Sequence, residues 1–212
     1  MSRLLLVEDD PALQLTIATA LEQMGYAVTM LTGADLAPER LHEFDAVVIG
    51  IRAYNVRTDM AEHMQGLFAW VEAGGTVVAQ YNQANGVRVT PIAPYSLTLS
   101  GDRVTDENSA TTFLAPDNPV LNTPNKITNA DFDGWVQERG LYYPNQWDAR
   151  FTPILAHNDA GEQPLKGGLL VAQYGKGYFV YTGLAFFRQL PAGVPGAMRL
   201  FANLLARDAD AL

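Results

Sequence analysis

The sequence predicts a three-layer α/β fold. A mainly parallel sheet is covered on both faces, interrupted by an irregular insertion and closed by a β-hairpin and a helix. Three observations predict it. Short apolar runs at 3–7, 27–31, 45–51 and 76–81 match strands buried on both faces. Helical patterns at 11–24 and 58–73 separate two pairs of these runs. Near the end, two β-type runs flank Gly175-Lys176-Gly177, and an amphipathic stretch follows.

Each element has a local reason. Arg3 to Val7 is a continuous apolar run after one cation. Asp10 caps the following helix and Pro11 takes its first position. Leu13, Ile17, Ala20, Leu21 and Met24 recur at helical spacing, and Gly25 stops the helix. The second and third runs then read as strands. Met60, Met64, Leu67, Phe68 and Val71 share one face of the second helix, which Gly74-Gly75 ends. Residues 82–150 differ: Pro91, Pro94, Pro116, Pro119, Pro124 and Pro144 exclude long regular elements. Residues 95–99 alternate as a half-buried strand, and 129–135 suit one or two helical turns. Phe113, Phe132, Trp135, Tyr142, Tyr143 and Trp147 mark this region as an ordered insertion, not a solvated linker. Residues 169–174 and 178–182 form the hairpin around a three-residue loop. Val194 to Leu205 is the closing helix, with Met198, Phe201, Leu204 and Leu205 as its stripe.

Composition excludes several functions. With 212 residues the chain suffices for one domain over 1–212, with a core that needs no covalent staple. There is no cysteine, so disulfides, thiolate zinc sites and a cysteine nucleophile are excluded. The net charge of −9 without a Lys/Arg run argues against nucleic acid as partner. No apolar run approaches the ~20 residues of a membrane span, so no membrane partner is expected. Met1-Ser2-Arg3 does not open a signal peptide, so the chain as written reads as cytoplasmic; a longer parent protein remains compatible with export.

The opening Leu4-Leu-Leu-Val-Glu-Asp-Asp-Pro11 resembles a response-regulator receiver domain. That resemblance implies a magnesium-binding acidic pair and an acceptor Asp ending the third strand. Here Gly50 stands in the acceptor place, Gln80-Tyr81 stand where a switch Ser or Thr is expected, and the family's Lys has no match. The likeness covers about the first 31 residues and implies at most a degenerate signalling module. Glu8, Asp9 and Asp10 read more simply as a solvated helix cap.

Longer segments point elsewhere. They are FDAVVIGIRAYN at 44–55, WVEAGGTVVAQYN at 70–82, Ala93-Pro-Tyr95, RVTDEN at 103–108, PNKI at 124–127, WVQERG at 135–140 and YTGLAFFRQLPAGVPG at 181–196. Together these resemble the accessory domain that follows the catalytic domain of some bacterial PIG-L family deacetylases. That resemblance implies a class I glutamine amidotransferase-like, flavodoxin-type fold from about Leu21 to Leu205. The first 20 residues depart from it, so the chain reads as a composite with a receiver-like opening at 1–20. A recombined or designed fold without selected activity is a further reading.

The resemblance brings no enzyme activity. His42, His63 and His157 are isolated and form no zinc motif; neither a Cys nor a Ser nucleophile elbow is present. No catalytic residue, metal site or cofactor is expected. Fold logic places a ligand beyond the carboxyl ends of the strands. Those ends carry Glu8 and Asp9, then Arg52, Tyr54 and Asn55, then Gln80, Tyr81 and Asn82. The insertion adds Asp106, Glu107, Asn108 and Trp135 to the same edge. Amides, a guanidinium and aromatic faces suit a carbohydrate; the same residues would equally anchor the insertion by hydrogen bonds. The expected role is a non-catalytic accessory domain that recognises a carbohydrate or a partner domain. Arg188 reads as an ion-pair partner, and Gly175-Lys-Gly177 as a hairpin, not a phosphate loop.

Because Gly50 cannot accept a phosphoryl group, acetyl phosphate with magnesium should leave the intact mass unchanged. A phosphoryl adduct on Asp9 or Asp10 would restore the receiver reading.

Overall fold

The computed structural model describes residues 2–7, 11–31 and 35–206. Strand β1 (Arg3–Val7) leads to helix α1 (Pro11–Gln23) and strand β2 (Ala27–Met30). Short helix α2 (Pro38–Leu41) precedes strand β3 (Ala46–Ile49), short helix α3 (Ala53–Val56), helix α4 (Met64–Glu72) and strand β4 (Thr76–Gln80). The insertion holds β5 (Leu97–Val104), β6 (Thr112–Phe113), 3₁₀ turns at Pro119–Leu121 and Asn129–Phe132, and β7 (Gly140–Trp147). Then come β8 (Thr152–Pro153), β9 (Leu155–Ala156), β10 (Leu169–Tyr174), β11 (Gly177–Thr182), short helix α5 (Phe186–Gln189) and α6 (Pro195–Leu205).

The central sheet runs β2-β1-β3-β4-β11-β10-β8. The first five strands are parallel to one another, and β10 and β8 close the edge antiparallel. This is a flavodoxin-type order, with β2 and β3 on opposite sides of β1. Successive side chains feed opposite cores. Val48, Val78 and Val180 face the layer of α1 and α6. Val47, Val77 and Phe179 face α4. The helices bury matching stripes: Ile17, Ala18 and Leu21 from α1, and Leu67, Phe68 and Val71 from α4.

The insertion packs on both layers. Phe113, Leu121, Ile127, Phe132, Trp135 and Tyr143 join the α1/α6 core, whereas Tyr95, Leu97, Leu99 and Trp147 join the α4 core. Its β5 and β7 pair antiparallel with broken register, and β6 pairs β9. Asn203 of α6 fastens it: its amide donates to Val120 O and Asn125 O and accepts from Asn125 N.

Several boundaries differ from the sequence pattern. The helix expected over 58–73 begins at Met64. Residues 57–63 form turns instead, with Arg57 paired to Asp59 and His63 N–H donating to Met60 O, although Met60 is buried as the pattern requires. The strand expected at 95–99 runs 97–104, because β7 supplies the partner edge. The 129–135 segment makes one 3₁₀ turn, closed by a Thr128/Asp131 capping box. The hairpin loop is two residues, Gly175-Lys176, with Tyr174 opposite Gly177. Gly175 takes φ +61°, as the first central position of a tight hairpin requires. This turn lies on the end of α4: Lys176 N–H donates to Glu72 O and Tyr178 N–H to Gly75 O. A Cβ on Gly177 would sit 2.1 Å from Val71 O, so only glycine fits there.

Trp135 joins the insertion to the core. It is 3% exposed, stacks on Phe132 at 5.7 Å, meets Phe186 at 5.8 Å and donates its indole N–H to Asp131 O. Trp135→Ala should cost ~3–5 kcal/mol, lowering the melting temperature by roughly 6–20 °C. Calorimetry checks this; an unchanged melting temperature would mean that the insertion is not docked through Trp135.

Candidate functional site at the carboxyl edge of the sheet

The edge begins with a strained turn. After β3, Gly50-Ile51 lead to Arg52, which takes φ +59° and opens α3. A sharp strand-to-helix turn of this kind presents an exposed side chain above the sheet; in hydrolases it carries the nucleophile. Here it carries an exposed guanidinium. Arg52 N–H donates to Tyr81 O at 2.8 Å and so ties the ends of β3 and β4 together.

Beneath this turn lies a buried hydrogen-bond layer. Asn82, fully buried, accepts from Tyr54 N–H (2.9 Å) and donates to Gln80 O (3.0 Å). Its own backbone N–H donates to the Tyr181 hydroxyl at 2.9 Å. Asn55 holds the next loop: its amide donates to Gln83 O and Asn85 O and accepts from Gln83 N–H. These groups satisfy backbone that leaves the sheet without ladder partners. Of the two roles the sequence offered Asn55 and Asn82, ligand contact or hydrogen-bonded anchor, their contacts are those of anchors. Tyr54 is fully buried and its hydroxyl has no partner. Gln80 is 1% exposed, two residues beyond Val78, and neither atom of its amide is partnered.

Above the turn lies an aromatic crescent. Tyr81 meets Tyr142 at 5.5 Å and Phe187 at 5.4 Å. Tyr142 also has positive φ, +53°, because it is the extra residue where the β5–β7 register slips between Asp102 and Arg103. Such bulges re-aim a side chain, here toward Tyr81. Arg103 lies over the Tyr142 ring at 5.5 Å and Arg188 over Phe187 at 4.8 Å. Arg188 pairs with Glu138 at 2.6 Å, the ion pair the sequence suggested. Gln83 reaches the Tyr142 hydroxyl at 3.4 Å. Burial pushes the Tyr81 phenol up to about 12; Glu138 and Tyr142 push the same way, and Arg52 and Arg188 oppose. Tyr81 is thus a neutral hydrogen-bonding phenol at ordinary pH.

Of the predicted site residues, Arg52 and Tyr81 meet in this crescent, and Tyr54, Asn55, Gln80 and Asn82 lie under it. Trp135 does not join them: it packs with Phe132, Phe186 and Arg139 in the α1/α6 core. Glu107 lies near Arg139 as well, so the expected roof of Glu107 and Trp135 is corrected to Tyr142 and Phe187. Periodicity carried no signal for these two, since a register slip placed Tyr142. Glu8, Asp9 and Asp10 lie outside the described residues. Among the described residues no group of three His, Asp or Glu is arranged to hold a metal. No described helix is long and apolar enough to cross a membrane.

No protein-family model matches the chain, nor does any curated protein. Solved structures share its fold. A candidate GMP synthase subunit from Thermoplasma acidophilum aligns over 97% of this chain and 92% of its own, with TM-score 0.60 and 10% identity. PurLQS from Thermotoga maritima aligns over 97% and 98%, with TM-score 0.57 and 11% identity. A β-galactosidase from Rahnella sp. R3 aligns over 96% of this chain and 32% of its own, with TM-score 0.55 and 18% identity. The chain thus spans about a third of that β-galactosidase. The shared fold is the flavodoxin-type, class I glutamine amidotransferase-like α/β fold.

Two of the buried tyrosines, Tyr54 and Tyr181, should respond differently to loss of their hydroxyls. Tyr181→Phe leaves Asn82 N–H unpaired and should cost ~1–3 kcal/mol. Tyr54→Phe removes an orphaned buried hydroxyl and should be neutral or stabilising. Denaturant unfolding of both variants checks this; equal losses would mean that Tyr54 has a partner.

Proposed function

We propose that this chain is a non-catalytic accessory domain whose strand-end crescent binds a carbohydrate. The observation that carries the reading is the meeting at Tyr81 of two residues held at positive φ: Tyr142, whose ring lies against the Tyr81 ring, and Arg52, whose backbone N–H donates to Tyr81 O. Backbone strain of this kind persists where packing over-determines it and clusters at ligand sites. The crescent has the parts a sugar needs: aromatic faces for its C–H surface, phenol hydroxyls, and a guanidinium to bridge hydroxyls.

Support for the non-catalytic half is chemical. The strained turn presents Arg52, whose guanidinium is a donor with no acceptor atom and hence a poor nucleophile. The chain has no cysteine. The resemblance to the accessory domain of PIG-L deacetylases favours a helper of a carbohydrate-active enzyme. So does the match to about a third of a β-galactosidase. In such a setting the crescent holds a glycan or a neighbouring domain while another unit does the chemistry. No cofactor is needed for that role.

The test is an NMR titration of the full chain with galactose, mannose, glucose and N-acetylglucosamine. At least one should shift amides near Arg52, Tyr81 and Tyr142. Arg52→Asn keeps a residue that tolerates positive φ and should weaken binding about 5- to 150-fold, the equivalent of one hydrogen bond lost. No shift with any sugar would remove the carbohydrate reading; turnover of a nitrophenyl glycoside would overturn the non-catalytic one.

A further inference from the structure

A polar cavity lies in the insertion and shares no lining residue with the crescent. It measures about 290 Å³ and opens between residues 108–111 and the 3₁₀ turn Asn129–Phe132. One wall is Arg139, only 1% exposed. Its guanidinium lies 5.2 Å from the Phe132 ring centre and 4.9 Å from that of Trp135. Nη1 donates to Phe132 O at 3.1 Å and Nη2 to Ser109 O at 2.9 Å. Nε has no partner.

Arg139 is a cation held out of water without a carboxylate against it. Among the described residues it makes no ion pair. Burial pulls its ionisation down to about 10, and it stays charged at neutral pH. Two carbonyls and two ring faces compensate part of that burial, but an N–H at this depth is costly to leave unmade. His157, which feels the charge of Arg139, is no second cation. It is fully buried, bonds Thr111 Oγ1 through Nε2 at 3.0 Å, and burial and Arg139 lower it to about 3.

The opposite charge lines the same cavity. Asp133 is exposed, contributes to the wall and makes no ion pair among the described residues. Arg139 and Asp133 are not within ion-pair distance of each other, yet both face one small space. Asp106 and Glu107 add negative charge around Arg139, which disfavours phosphate and other multiply charged anions. Asn108 and Asn129, both exposed, add amides to the lining.

We propose that this cavity is a separate binding site for a small zwitterion of the amino-acid type, its carboxylate on Arg139 and its ammonium on Asp133. A carboxylate gives the unpartnered Nε–H a charge-assisted acceptor. The ammonium then meets the only carboxylate in the lining. Phe132 offers an apolar surface to the stem between the two charges.

The test uses three probes on the full chain: L-alanine, sodium acetate and methylammonium, each followed by amide NMR at fixed ionic strength. L-alanine should shift Asn108, Ser109, Thr111 and Asn129, and bind about fivefold more tightly than acetate, the increment of one partly exposed ion pair. Methylammonium alone should bind least. Asp133→Asn, at an exposed position, should keep the melting temperature and bring L-alanine down to acetate. Equal binding of L-alanine and acetate by the unaltered chain would overturn the proposal. So would shifts outside the cavity, absence of saturable binding, or an Asp133→Asn variant that retains the preference.

Discussion

Covering both faces of the central strands is the constraint on which the rest depends. β3, β4 and β11 have no wet face, so every interior position must be apolar and alternate residues must fit opposite layers. Polar side chains are thereby driven to the strand ends. There the backbone leaves the ladder and needs partners of its own. Asn82, Asn55 and Tyr181 meet that need. Residue types that suit a ligand are the same ones that suit an exposed chain end, because both tasks require short-range donors and acceptors.

Function at this edge therefore depends on what is left after the backbone has been satisfied. The remainder is an outer layer of Arg52, Tyr81, Tyr142 and Phe187, with the Arg188–Glu138 pair beside it. Two of these residues hold backbone conformations that cost on the order of 1–3 kcal/mol each. Docking of the insertion offsets that cost. Its aromatic residues enter both core layers, so Tyr142 cannot relax without disturbing the β5–β7 pairing that positions Tyr143 and Leu141. Strain and packing are thus two sides of one arrangement.

The insertion also explains why buried charge occurs away from the edge. Its chain is rich in proline and turns, so its carbonyls need partners that helix and sheet ladders do not supply. Arg139 supplies donors to two of them, Phe132 O and Ser109 O, and fills the space between two rings. A lysine would match this less well, because only a planar guanidinium can stack on rings and donate sideways at once.

The sequence by itself determined the layer architecture, the parallel order at the start of the sheet, the closing hairpin and α6. Those features follow from local periodicity: wholly apolar runs, a 3.6-residue stripe, and glycines at a tight turn. It also placed Arg52, Tyr81 and Asn82 at one edge, since strand ends follow from strand positions. Tertiary structure alone decided which of those side chains were free. Asn82 finds Tyr181 across 99 residues, and Gln83 meets Tyr142 across 59. Trp135, written among polar neighbours, went to the core because the 3₁₀ turn before it aims the indole at Phe186. Tyr142 reached the crescent through a register slip that no residue pattern encodes. The physical reason is common to all four. Periodicity is a property of one segment, whereas hydrogen-bond satisfaction and bulges are properties of two segments meeting.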